Sequence, residues 1–221
     1  MKRNGRSRLG LGLAIAGFAA LVIPIRLAAQ EPLNAPETSA DGWVRPSPIN
    51  FNQLAILRWY AANLTTTFSV GTNPVGVAFD GANIWVANFG SNDVIKLRPS
   101  DGEVLGTFGA GTNPNDMSFD GANVWVSNYG SATVTKLRAS DGTVLGTFAV
   151  GTFPQGDAFD GANIWVASRG SGTVTKLRAR DGKVLGTFAV GLGPNSVAFD
   201  GANIWVANGG SNSVSKLRAI D

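Results

Sequence analysis

Phe68, Phe108, Phe148 and Phe188 stand 40 residues apart, and so do Trp85, Trp125, Trp165 and Trp205. A period of this length confines the chain to arrays in which each unit is one supersecondary motif that buries its apolar faces on its neighbours. Each copy carries a string such as "AFDGANIWVAN", then "GSNDVIKLR" or "GSATVTKLR", then "SDGTVLGTFAVG". The copies run 68–107, 108–147, 148–187 and 188–221.

Inside a copy, short apolar runs alternate with turn chemistry. In the first copy strand a is expected near Val77–Asp80, b near Ile84–Ala87, c near Val94–Arg98 and d near Val104–Phe108. Asp80-Gly81 and Asp101-Gly102 tolerate the positive φ of tight hairpins, and Pro74 interrupts the chain between units. The run "NIWVAN" is apolar at consecutive positions, as in a strand covered on both faces. Four short strands in forty residues match one propeller blade, whereas leucine-rich or hexapeptide solenoids repeat at shorter intervals. The expected fold is therefore all-β, a β-propeller of four 40-residue, four-stranded blades.

The 221-residue chain has no Cys and no His. Zinc fingers, Ser-His-Asp triads, Cys nucleophiles and haem ligation all need a thiolate or an imidazole and are excluded. With 44% hydrophobic residues and 6 Trp, the 29 Gly do not imply disorder. The net charge of +3 is a property of the leader: Lys2, Arg3, Arg6, Arg8 and Arg26 lie there, and the rest of the chain has 13 basic residues against 15 acidic. A nucleic-acid footprint needs clustered Lys and Arg on the folded domain, so nucleic acid is not an expected partner.

Residues 1–29 have the plan of a secretory signal peptide: a basic stretch from Lys2 to Arg8, an apolar run from Leu9 to Ile25, and small residues at Ala28 and Ala29. The chain is expected in the periplasm or secreted, with membrane contact only if the leader stays uncleaved as an anchor. A polar linker at 30–50, holding Pro32, Pro36, Pro46 and Pro48, follows as an extended spacer.

The segment "VAFDGANIWVANFGSNDVIKLRPSDG" resembles the repeat of the NHL and YVTN β-propeller families, which include the YncE-like proteins and the streptogramin B (virginiamycin B) lyases. The resemblance covers residues 68–221. It implies a propeller fold, shared among binding proteins, scaffolds and a few enzymes. For the lyases it implies elimination on a cyclic depsipeptide with a metal ion and His and Glu residues. No position of this chain supplies the imidazole, and Glu103, in a c-to-d turn, is the single Glu of the repeats.

Residues 51–67 hold half a repeat, because Leu57-Arg58 precedes Phe68 by the same interval that separates Leu97-Arg98 from Phe108. A c-like strand is expected at Ala55–Arg58 and a d-like strand at Leu64–Val70. The last copy has a, b and c without d. Pairing Leu64–Val70 with Ser213–Arg218 would complete the last blade and remove a free edge. Self-association into an eight-bladed ring and membership of a larger propeller are the other ways of covering that edge.

Asp80, Asp120, Asp160 and Asp200 recur before Gly, where their carboxylates are expected to cap hairpins rather than form a metal ring. The four repeat Trp are expected as core between blades. Lys96, Lys136, Lys176 and Lys216 alternate along strand c and are expected on a solvated edge. Asp116 and Asp157 are unrepeated acids near strand a, expected on opposite faces and so without a joint role. No cofactor or metal is expected.

The copies differ most at one end of the blade. The b-to-c loops carry Phe89, Tyr129, Arg169 and Gly209; the d-to-a loops carry Asn73, Asn113, Phe153 and Gly193, then Val75, Asn115, Gln155 and Asn195. The other end keeps "FDGAN" in every copy, although its second hairpin varies at Glu103, Thr143 and Lys183. A rigid ring with a variable, aromatic-containing loop face reads as a non-catalytic binding or scaffold protein for a protein, peptide or surface polymer. The alternative is a divergent lyase-like enzyme.

Overall fold

The computed structural model describes residues 66–220. The expected signal peptide, linker and c-like strand, and the start of the d-like strand, lie outside the described residues. Fifteen strands form four antiparallel sheets in chain order. The first sheet is β1 (Pro74–Phe79), β2 (Ile84–Asn88), β3 (Asp93–Leu97) and β4 (Val104–Gly109). The second is β5 (Pro114–Phe119), β6 (Asn123–Asn128), β7 (Thr133–Arg138) and β8 (Val144–Ala149). The third is β9 (Pro154–Phe159), β10 (Asn163–Ser168), β11 (Thr173–Arg178) and β12 (Val184–Ala189), and the fourth is β13 (Pro194–Phe199), β14 (Asn203–Asn208) and β15 (Ser213–Arg218). Successive sheets meet through their first strands, β1 on β5, β5 on β9 and β9 on β13, so the four blades radiate from one side.

Strand a starts three residues before its expected position. Pro74 opens β1 because the first residue of a strand needs no ladder N–H, and a bulge between Pro74 and Gly76 restores the register. At the a-to-b hairpin, Asp80 Oδ1 accepts the amides of Ala82 (2.9 Å) and Asn83 (2.6 Å), as a turn cap does. Its Oδ2 also accepts the Trp85 indole N–H at 2.7 Å, and the same bond recurs from Trp125, Trp165 and Trp205. Each hairpin Asp thus fixes the ring that fills the next interface.

Those interfaces are the core. Trp85 and Val94 of the first sheet pack on Met117, Val124, Val126 and Leu137 of the second. Trp125 and Val134 meet Ile164, Val166 and Leu177 in the same way, and Trp165 and Val174 meet Ile204 and Val206. Lys216 is exposed on the edge strand β15, as its alternation suggested, but the other three lysines are not on a solvated edge. Lys96, Lys136 and Lys176 are buried, opposite Trp85, Trp125 and Trp165 in the ladder, with Nζ 5.2, 5.1 and 4.8 Å from the ring centres. Each ammonium donates to the next blade: Lys96 to Ala139 O (2.7 Å), Lys136 to Ala179 O (2.6 Å) and Lys176 to Ala219 O (2.8 Å). The flaw in the edge reading is that strand c is covered on both sides, so an alternating charge points at a neighbour instead of at water.

The two ends of the series differ from its interior. β13 and β1 do not pack on each other as successive first strands do. Trp205 is 39% exposed where its three counterparts are buried, and Val214 is exposed where Val94, Val134 and Val174 are buried. Among the described residues the fourth sheet has three strands, and residues 66–70 form no strand beside β15. They lie instead on the first blade. A Cβ at Gly102 would overlap the Phe68 ring, as Cβ atoms at Gly142 and Gly182 would overlap Phe108 and Phe148. Phe68 therefore sits on the first blade as the d-strand Phe of a preceding blade.

Candidate functional site: the loop face

The d-to-a and b-to-c loops share one end of every blade, zipped together by backbone bonds. Phe89 N donates to Asn73 O and Gly90 N to Thr72 O, both at 2.9 Å. Tyr129 with Asn113, Arg169 with Phe153 and Gly209 with Gly193 repeat the first of these bonds at 2.9, 3.0 and 3.0 Å. The conserved turn forces left-handed backbone at one position: Asn73, Asn113, Phe153 and Gly193 have φ of 53°, 54°, 53° and 61°. Asn and Gly suit that conformation, whereas a bulky aromatic residue is an outlier there.

Asn73 and Asn113 are thus accounted for by the turn. Asn73 is exposed and supplies the backbone conformation. Asn113 spends its side chain internally, donating Nδ2 to Phe89 O of the preceding blade at 2.9 Å. Asn115 and Gln155 are half-buried and Asn195 is exposed. The remaining aromatics come together. The Phe89 and Tyr129 rings are 5.9 Å apart and tilted, and Tyr129 and Phe153 stack at 4.9 Å with 23° between planes. Three rings on three successive blades thereby form one continuous ridge, and the half-exposed Phe153 ring ends it. Arg169 emerges beside Phe153, whose carbonyl its amide engages, and its side chain is exposed. Repeat spacing placed these residues on one face; that their rings touch was not legible without the blade-to-blade distance.

The acids of strand a require a correction. Alternation does put Asp116 and Asp157 on opposite faces of their own strands, and for that reason they meet, since adjacent blades confront each other with opposite faces. Asp157 N donates to Asp116 Oδ2 at 3.3 Å, Met117 N to Asp116 Oδ1 at 2.9 Å, and Ser118 Oγ to Asp157 Oδ2 at 2.7 Å. Burial, and then the charge of Asp116, push the Asp157 carboxyl well above the usual carboxylate range, and burial raises Asp116 as well. The pair is a buried polar link between β5 and β9. With no imidazole anywhere in the chain, it has no basic side chain of that kind to relay a proton.

Among the described residues no three His, Cys, Asp or Glu side chains group as a metal site. Grooves run between successive blades at the opposite, hairpin end, lined by Asp120, Asn123, Lys136, Phe159 and Arg178 between the second and third. Asp120, Asn123 and Lys136 are already engaged in a turn cap and a blade clasp, Arg178 in an ion pair with Asp181, and Phe159 packs on the core between the blades.

Neither protein-family models nor curated proteins match the chain. Solved structures do. The Kuenenia stuttgartiensis hydrazine synthase superposes with a TM-score of 0.61 at 20% identity, over 71% of this chain and 49% of that one. The arc is one of β-propeller blades. The computationally designed Ika4 protein is matched with a TM-score of 0.62 at 12% identity, over 69% of this chain and 95% of Ika4. The virginiamycin B lyase from Staphylococcus aureus is matched with a TM-score of 0.54 at 16% identity, over 71% and 59%. This chain therefore spans about half of the hydrazine synthase chain and under two thirds of the lyase chain. At such identities the likeness is one of fold alone.

Proposed function

We propose that this chain is an exported, non-catalytic propeller scaffold that holds a protein or peptide partner on its loop face, through Phe89, Tyr129, Phe153 and Arg169. The observation that carries the reading is Phe153. At a turn position where the other copies use Asn or Gly, the chain keeps an aromatic residue at φ 53° and stacks it on Tyr129. A bulky residue in left-handed backbone costs on the order of 1–3 kcal/mol, and such strain clusters at ligand-binding and active sites. Aromatic and Arg side chains are the types that dominate interface energetics. Export is supported by the order of basic, apolar and small residues in 1–29. A lyase-like reaction has less support, because the chain contains no His.

The test places a photo-crosslinking phenylalanine analogue at position 153 and, as a control, at Thr143 on the opposite end, in a bacterial host that exports the chain. Discrete adducts at 153 that are absent at 143 support the reading. Equal adducts at both positions, or none at 153, refute it.

A further inference from the structure

We infer that the junction of the second and third blades binds a hard divalent cation, calcium by its chemistry, through Asp116, Ser118, Ser127 and Asp157. The repeat itself marks the place. Where the chain has Asp116 the other copies have Gly76, Gly156 and Ser196, and where it has Ser118 they have Ala78, Ala158 and Ala198. Ser127 replaces Ala87, Ala167 and Ala207 of the other copies, and Asp157 stands where they have Val77, Met117 and Val197. Three of these departures belong to the second copy and one to the third. Packing brings all four to one spot.

The ladders show how. Asp116 pairs with Ser127 and Ser118 with Trp125 across β5 and β6, so these side chains share the face on which Trp125 meets the third blade. Asp157 pairs with Val166, which packs with Trp125 from the other side, and so points back at them. Ser118 Oγ donates to Asp157 Oδ2 at 2.7 Å, and the Asp157 amide donates to Asp116 Oδ2 at 3.3 Å. Ser127 Oγ adjoins the same Asp157 carboxyl. Two oxygens are left over: Ser127 Oγ and Asp157 Oδ1 make no hydrogen bond, on residues only 0% and 8% exposed.

A buried polar atom without a partner is costly, and a buried charge is kept where it is paired or coordinates a metal. Arginines hold the acids of the exposed turns, Asp101, Asp141 and Asp181. Asp116 and Asp157 have amides and hydroxyls around them instead, which leaves two adjoining carboxylates to be neutralised. One divalent ion does so. No third acid joins the pair among the described residues; the two hydroxyls take its place, so every side-chain donor is an oxygen, as hard cations prefer. Calcium accepts an irregular oxygen shell, whereas magnesium demands a near-ideal octahedron and keeps several waters, for which a buried junction has little room. Neither His nor Glu takes part, so the site is unlike the metal-dependent centre that the lyase resemblance implies. Ser127 stands two residues before Tyr129 and Asp157 four after Phe153. The ion therefore fastens the two blades whose rings stack at the loop face.

The purified full chain is stripped with a chelator, exchanged into chelator-free buffer at neutral pH and titrated with calcium chloride. Equilibrium dialysis counts bound calcium, and circular dichroism follows melting. One calcium per chain is expected, with melting raised by about 3 °C or more at saturation and less by magnesium. Asp157→Val and Ser127→Ala each install a residue type of the other copies; the first should bind no calcium, and the second should bind it several-fold more weakly with an unchanged spectrum. Asp141→Asn, at an exposed turn, should bind as wild type does. Wild-type protein that takes up no calcium at about 1 mM overturns the inference and leaves the pair sharing a proton. Calcium affinity unchanged in Ser127→Ala, or retained in Asp157→Val, overturns it as well.

Discussion

Replacing the same residue at two places in the repeat separates burial from chemistry. Trp125 and Trp205 sit at equivalent positions, and both donate the indole N–H to a hairpin Asp, at 2.8 and 2.7 Å. Trp125 is fully buried between Lys136 and Phe148, whereas Trp205 is 39% exposed. A Trp buries on the order of 150–250 Å². At about 25 cal/mol/Å² full burial corresponds to roughly 4–6 kcal/mol. Leaving two fifths of that surface in water lowers the figure at Trp205 by about 2 kcal/mol, and solvent fills the space that truncation leaves there. Trp125→Ala is therefore expected to destabilise by about 3–5 kcal/mol, the range for a buried aromatic truncated to Ala. Trp205→Ala should cost about 2 kcal/mol less. Urea unfolding followed by circular dichroism measures both. Equal losses, or a loss under about 1 kcal/mol at Trp125, would refute the view that blade faces are the core.

Phe153→Asn restores the residue type of the other copies; its stability should be unchanged or higher by up to about 1 kcal/mol, as relief of left-handed strain offsets the lost stacking, while the adducts of the loop face disappear from a crosslinker moved to position 129. Asp157→Asn should stabilise the fold at neutral pH. The folded-state carboxyl is raised above its unfolded value, so the native state binds more protons in between and wild-type stability falls as pH rises from about 4 through the folded value; the advantage of Asn should accordingly shrink below pH about 4, and melting of both proteins from pH 3 to 8 checks the sign. Lys136→Met keeps the stem over Trp125 but strips a buried carbonyl of its charged donor, an expected loss of about 1–3 kcal/mol in urea unfolding. Gly142→Ala meets the Phe108 ring at φ 75°, and should lower the melting temperature more than Gly121→Ala, which has a φ of 98° but open space around its Cβ.

A sequence that repeats every 40 residues already specifies the blade: Asp-Gly hairpins, apolar b strands and the position of the indole follow from local rules, and strands b, c and d of the first blade formed within a residue of where those rules put them, while strand a began three residues early at Pro74. The d-to-a and b-to-c loops could also be assigned to one end, because strand direction reverses at every hairpin. What one blade shows its neighbour could not be read this way. Alternation along a strand describes two faces without saying what lies against each, so Lys136 was placed on an edge although it clasps Ala179 O, and Asp116 and Asp157 were separated although facing blades bring opposite faces together. The contact of Phe89, Tyr129 and Phe153 depends likewise on the spacing between blades. Local sequence thus determined each sheet and its turns, because those are governed by backbone preferences and hydrogen bonds a few residues apart. The meeting of one sheet with the next, and with it the loop-face ridge, the buried acid pair and the uncovered fourth blade, was decided by packing across 40 residues, which only the tertiary structure records.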